Sequence, residues 1–107
     1  MIKCIYFLKR KSGMTPEEFH KYWRDVHAPI AGDIPGVKKY ILCYPLPSEF
    51  KDKEPAYDGI AEMWYDSEKS LAKAMASEAW KISGKDGEVF IDQASSKSMI
   101  CGEDKVM

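Results

Sequence analysis

The chain is 107 residues long, enough for one compact domain (residues 1–107) and too short for separate cofactor and substrate lobes. Hydrophobic residues at 45% and charged residues at 31% predict a folded core and exclude wholesale disorder. With 16 Lys and Arg against 17 Asp and Glu, the formal net charge of −1 argues against a nucleic-acid binder, which needs a broad phosphate-neutralising surface.

Ile2 to Lys9 reads as a first strand in which both alternating sets are largely apolar, so both of its faces are expected to be covered. After the turn Arg10-Lys11-Ser12-Gly13 comes a well-marked helix start. Thr15 is the N-cap, Pro16 takes the first helical position, Glu18 completes a capping box, and Met14 with Phe19 has hydrophobic-staple spacing. Phe19, Tyr22, Trp23, Val26 and Ile30 form an apolar stripe, and Pro29 is expected to end or kink the helix at Ala28. Pro35-Gly36 is a turn, Val37 to Tyr44 a second strand, and Pro45 to Pro55 a solvated loop with three prolines and five charges.

Asp58 to Tyr65 is the third strand, with Ile60, Glu62 and Trp64 on one side and Ala61, Met63 and Tyr65 on the other. Asp66 or Ser67 caps a second helix that buries Leu71, Ala72 and Met75. Ser77 restarts it with Ala79, Trp80 and Ile82, and Gly84 and Gly87 are expected to break regular structure. Ser96 to Cys101 is the last strand.

The order βαββαβ predicts an α+β, ferredoxin-like subunit with a four-stranded antiparallel sheet and its helices on one face. The apolar far sides of the first and third strands then call for a second layer, and a second copy of the chain is the simplest supplier, giving a homodimer. The apolar runs are strand-length, short of the roughly 20 residues of a membrane span, and no signal-peptide pattern precedes the first strand. Cys4, Cys43 and Cys101 read as reduced thiols of a cytoplasmic protein. With two histidines and no Cys-x-x-Cys or His-x-x-x-His spacing, no protein-held metal is expected.

Met14-Thr-Pro-Glu-Glu-Phe-His-Lys-Tyr-Trp-Arg-Asp-Val-His-Ala-Pro-Ile30, followed by Ile34-Pro-Gly-Val-Lys-Lys-Tyr40, resembles the EthD family. So do Tyr57-Asp-Gly-Ile-Ala-Glu-Met-Trp-Tyr-Asp-Ser67 and the later Asp86 with Phe90-Ile-Asp92. The resemblance implies a dimeric α+β barrel of two ferredoxin-like subunits, each with a pocket between sheet and helices. Relatives include a muconolactone methylisomerase and cofactor-free fungal dehydratases or decarboxylases, so function varies more than fold.

His27 is the first candidate for chemistry. It lies at the edge of the helix stripe one turn after Trp23, and imidazole, with an ordinary pKa of about 6.5, suits proton abstraction and return. The resemblance puts it at the family's Trp-x-x-x-His-Ala-Pro position; the alternative is a helix cap. Glu62, an acid in an apolar strand, either pairs with His27 or a substrate hydroxyl or faces the subunit interface. Tyr40, Tyr6 and Trp64 can supply an aromatic wall, with a phenol of Tyr40 or Tyr6 holding negative charge on oxygen, and Tyr22 and Trp23 join them as ligand-binding candidates. Asp92 matches the family's Phe-x-Asp element and either binds ligand or turns the chain.

Three functions follow. The first is a cofactor-free isomerase, dehydratase or decarboxylase moving a proton on a small aromatic or unsaturated ring compound. The second is a non-catalytic carrier of a hydrophobic intermediate for a partner oxidase. The third is borrowed from haem-degrading or quinol-oxidising dimeric barrels; nothing in the sequence demands haem, though His27 or His20 could in principle ligate one.

Overall fold

The structure, a computed structural model, describes residues 1–107. Strand β1 (Ile2–Leu8) lies in the middle of a four-stranded sheet, with β2 (Lys39–Cys43), β3 (Gly59–Tyr65) and β4 (Lys97–Gly102) in the order β2-β3-β1-β4. Every neighbouring pair is antiparallel, as the ferredoxin-like order of elements predicts. The register sets Cys4 opposite Met63 and Tyr6 opposite Ala61, so these side chains share the face that the helices cover. No helix is long and apolar enough to cross a membrane.

The expected barrel does not form. The sheet is open: β2 and β4 are its two edges, each paired on one side only. Its far face is also less apolar than the strand pattern suggested, because a polar ladder runs through the middle of it. The Lys3 ammonium contacts the Glu62 carboxylate at 2.8 Å and the Glu103 carboxylate at 3.2 Å. Lys3 and Lys39 both lie over the Trp64 ring, 5.0 and 4.7 Å from its centroid. Around this ladder Ile5, Phe7 and Ile60 are half-buried, and Ile41 and Met99 are exposed.

The helix start matches its sequence signature. Thr15 Oγ1 accepts from the Glu18 N–H at 3.1 Å, Glu18 Oε1 accepts from the Thr15 N–H at 2.8 Å, and Pro16 opens helix α1 (Pro16–Tyr22). Such a cap contributes about 1 kcal/mol. The chain does not stop at Ala28. It widens into a π-helical turn over Trp23–His27 and continues as α2 (Ala28–Gly32). Pro29 supplies the reason. It has no N–H to give Asp25 and its ring crowds that carbonyl, so the preceding turn opens and the Ala28 N–H bonds to Trp23 O instead. The wider turn re-phases the stripe. Phe19, Trp23, His27 and Ala31, each four residues on, are buried, whereas Val26 is 42% exposed and Ile30 half-buried.

Helix α3 (Glu68–Met75) is capped by Ser67 and buries Leu71 and Ala74, one step from the expected Ala72 and Met75, which are exposed. Ser77 then caps α4 (Glu78–Phe90), accepting from the Trp80 N–H at 3.2 Å. Gly84 and Gly87 do not break α4 but lie within it. Its thirteen residues and the burial of Ser83, Gly87 and Phe90 against the rest of the fold outweigh the roughly 1 kcal/mol that each glycine costs a helix. At the sheet's other end Asp58, its side chain 2% exposed, accepts from the Arg10 N–H at 2.7 Å and the Arg10 guanidinium at 2.6 Å. Arg10 also reaches Glu54, which ties the long loop to the start of β3.

Candidate functional site

A cavity of about 340 Å³ lies between the helix-side face of the sheet and the helices. Tyr6, Leu8, Tyr40 and Ala61 rise into it from the strands, Trp23 and His27 from the π turn, and Ser83, Gly84 and Gly87 from α4. The hollow exists because four of these positions carry small side chains, Ala61, Ser83, Gly84 and Gly87; around Gly84 a Cβ would meet nothing within 4 Å. Exposed Gln93, Lys97 and Ser98 mark a polar mouth. The volume falls at the lower end of small-molecule sites, fitting a molecule of one or two rings.

His27 is held from two sides. Its Nδ1 lies 2.8 Å from Asp86 Oδ2, and its ring packs on Phe90 with centroids 4.9 Å apart. The other Asp86 oxygen accepts from the Tyr22 hydroxyl at 2.7 Å, and this bond raises the Tyr22 pKa above its ordinary value. An ionised carboxylate only accepts, so Nδ1 carries the proton that bonds to it and Nε2 keeps its lone pair. Trp23 and His27, four residues apart and so on one side of the helix, open and close the π turn and both line the cavity wall.

Trp23 is fully buried, and its position is fixed from below by Gly59. A Cβ at Gly59 would come within 2.3 Å of Trp23 Cζ3, so only a bare backbone lets the indole lie flat against β3. The indole N–H is left without a hydrogen-bond partner. It lies beside the Tyr40 phenol, close enough to pull that group's pKa down against burial, though the two do not form a hydrogen bond. A buried donor left unpaired costs about 1–3 kcal/mol. Burial wins at Tyr40, whose pKa is pushed up to about 12, and also drives that of Tyr6 upward. Both phenols therefore stay protonated at neutral pH and remain donors.

Of the residues singled out from the sequence, the structure brings His27, Tyr40, Tyr6 and Trp23 together around the cavity, with Tyr22 one bond behind His27 through Asp86. Four fall elsewhere. Glu62 projects from the opposite face of the sheet and pairs with Lys3, so it does not reach His27; alternation along β3 sends it out with Ile60 and Trp64. Trp64 lies on that same face, its Nε1 donating to Glu103. Asp92 turns the chain into a 3₁₀ turn (Gln93–Ser95) and accepts from Ser95 Oγ at 3.0 Å. His20 packs its ring on Tyr44 at 3.8 Å and does not line the cavity. Asp86, which the sequence reading quoted for the EthD resemblance but gave no role, is the functional partner it missed. Its signal was a lone acid beside the buried stripe Ser83, Gly87 and Phe90, obscured by reading Gly84 and Gly87 as breakers.

An open ferredoxin-like sheet, roofed by helices that aim a carboxylate-bound histidine into an aromatic cavity, defines a small-molecule pocket protein. The chain belongs to the EthD family: the EthD domain model matches residues 11–94. No curated protein matches it. Among solved structures, an ethyl tert-butyl ether D (EthD) family protein from Bacillus halodurans C-125 is 27% identical, with a TM-score of 0.79 over 97% of this chain and 99% of that one. SnoaB from Streptomyces nogalater, a cofactor-independent oxygenase, shares the fold at 11% identity and a TM-score of 0.69, over 99% of this chain and 95% of that one. A dimeric ferredoxin-like protein of unknown function from Thermobifida fusca YX is similar at 13% identity and a TM-score of 0.70, over 95% of this chain and 90% of that one.

Proposed function

We propose that the protein is a cofactor-independent enzyme, an isomerase, dehydratase or decarboxylase, that acts on a small aromatic or unsaturated ring compound by proton transfer through His27. One observation carries the reading: the Nδ1–Asp86 contact of 2.8 Å on an imidazole that lines the cavity. Nε2 accepts a proton from a carbon next to a carbonyl, the Asp86 carboxylate stabilises the imidazolium that forms, and the electron pair moves onto oxygen. Returning the proton to another carbon completes an isomerisation. Giving it to a departing hydroxide completes a dehydration. A decarboxylation needs only the second half: the C–CO2 bond breaks, its electron pair moves onto the neighbouring carbonyl oxygen, and a protonated His27 gives its proton to the carbon that carried the carboxylate. The fold neighbour SnoaB, a cofactor-independent oxygenase, supports the idea that this scaffold hosts chemistry run by side chains alone.

Exchange of the α-protons of β-tetralone in heavy water, followed by NMR, tests the reading. The wild-type protein is expected to accelerate exchange and His27→Ala to lose about 10²–10⁴-fold of that acceleration. Wild-type exchange no faster than that of His27→Ala, with the ketone bound and released unchanged, would replace the enzyme by a non-catalytic carrier.

We infer further that two copies associate through the far face of the sheet. Exposed Ile41 and Met99 beside half-buried Ile5 and Phe7 support this, as does the dimeric state named for the Thermobifida fusca neighbour. Three free cysteines suit the reducing cytoplasm.

A further inference from the structure

We propose that Ser83 sets the ligand specificity of the cavity: its hydroxyl takes a second, uncharged oxygen group of the ring compound, a hydroxyl or a carbonyl about one ring's width from the carbon that His27 works on. The catalytic consequence rests on the proton-transfer reading, whereas the binding contact stands without it.

Ser83 is only 9% exposed and lines the cavity from α4, on the buried stripe that it shares with Gly87 and Phe90. Its hydroxyl has no hydrogen-bond partner in the protein, yet it is not sealed in; the unpaired side-chain atoms without accessible surface are Trp23 Nε1 and Tyr65 OH. The little surface that Ser83 keeps opens into the hollow. Buried polar groups are almost always paired, so an open hydroxyl on a cavity wall is completed by water or by ligand. Ser96 lines the same cavity but is already committed, accepting from the Lys9 N–H at 3.0 Å and donating to Asp92 O at 2.9 Å.

The helix sets the spacing. Ser83 precedes Asp86, which holds the imidazole, by three residues, about 4.5 Å along α4. One turn after Ser83 the wall is bare backbone at Gly87, and Gln93 Nε2 lies 3.5 Å from where a Cβ there would be. Gln93 lines the cavity as well, so this end offers a hydroxyl and a carboxamide, each neutral and each able to donate or accept. Lys97, the one permanently charged residue of the lining, stands opposite Phe7 in the register and projects with it from the far face. A ligand carboxylate at this end would be buried without a cation, whereas a hydroxyl or carbonyl finds its partner.

The test measures by calorimetric titration the dissociation constants of β-tetralone, its 6- and 7-hydroxy derivatives and its 6- and 7-carboxy derivatives. In the wild-type protein the better hydroxy derivative is expected to bind about five- to tenfold tighter than β-tetralone, and both carboxylates more weakly than β-tetralone. Ser83→Ala should shrink the hydroxy preference to less than about twofold. Its circular dichroism should match the parent's, because alanine is the better helix former. A hydroxy derivative that binds no tighter than β-tetralone, a preference that survives in Ser83→Ala, or a carboxylate that binds tightest overturns the proposal, as does the failure of all five compounds to bind. Exchange of the α-protons separates this proposal from the proton-transfer reading. A hydroxy preference without exchange leaves the Ser83 contact standing and removes the base, whereas exchange without a preference does the reverse.

Discussion

The carboxylate of Asp86 reaches His27 across 59 residues of sequence, from the middle of α4 to the end of the π turn, and holds Nδ1 at 2.8 Å. The same carboxylate takes the Tyr22 hydroxyl at 2.7 Å, so both of its oxygens are committed and it cannot rotate freely. What it orders is the imidazole tautomer: a proton on Nδ1 leaves the accepting lone pair on Nε2.

Asp86→Asn tests that ordering directly. An amide can offer its N–H to Nδ1, which favours the tautomer with the proton on Nε2 and removes the base. Ketone α-proton exchange is expected to fall by about 10² or more with the fold retained. Nitrogen NMR of the His27 ring should report the proton moving from Nδ1 to Nε2. Tyr22→Phe, which leaves the His27–Asp86 bond in place, should cost less than about tenfold. Equal losses in the two variants would mean that Asp86 serves packing and not the tautomer.

How much of this was legible depends on the range of the interactions concerned. Thr15, Pro16 and Glu18 marked the helix start because a cap is local, and the alternation in β1 and β3 placed both strands for the same reason. The π turn that answers Pro29 was not visible in the sequence pattern, which, read at a constant helical step, put Val26 and Ile30 on the inner face and His27 only at its edge. Glu62 was assigned to the right side of its strand, together with Ile60 and Trp64, but alternation alone does not say which side meets the helices. Gly84 and Gly87 were read by propensity. Their work is tertiary: they lie along α4 where the cavity needs room.

Gly59 gives the sharpest stability prediction, since a Cβ there would fall 2.3 Å from Trp23 Cζ3 and 2.7 Å from its Cη2. Backbone and indole are both buried and neither can yield without displacing Phe19 or the sheet. Gly59→Ala is expected to lose about 2–3 kcal/mol in urea unfolding, at the upper end of ordinary overpacking, and to shift the tryptophan emission spectrum. A variant as stable as the parent would show that the indole does not lie on the strand.

The pH dependence of stability follows from buried phenols on one side and exposed acids on the other. Burial raises Tyr40 and Tyr65 to about 12, above the value of about 10 expected in the unfolded chain. Their stabilising contribution is therefore complete below about pH 10 and is lost as pH rises through about 12. On the acid side Asp25 is held down to about 2, chiefly by Arg24, and Glu54 is lowered chiefly by Arg10. Their contribution is present above about pH 4 and disappears as pH falls through their folded values. Urea midpoints should show a plateau between these limbs, and ultraviolet absorbance should show some tyrosines ionising only near the alkaline transition. All tyrosines titrating together near 10 with the fold intact would contradict the burial of Tyr40 and Tyr65.

The far face of the sheet carries the last prediction. Ile41 on β2 is 36% exposed and Met99 on β4 is 54% exposed, both on the side away from the helices. Substituting exposed positions changes the stability of a single subunit by only about 0.5 kcal/mol, whereas burying two new like charges per subunit in an interface is strongly unfavourable. Ile41→Lys combined with Met99→Lys should therefore convert a sedimenting dimer to a monomer with an unchanged circular dichroism spectrum. The Lys3–Glu62 contact at 2.8 Å lies between the two sites and gives that face a polar centre. A wild-type chain that sediments as a monomer at micromolar concentration, or a double variant that remains dimeric, would move the association to another surface or abolish it.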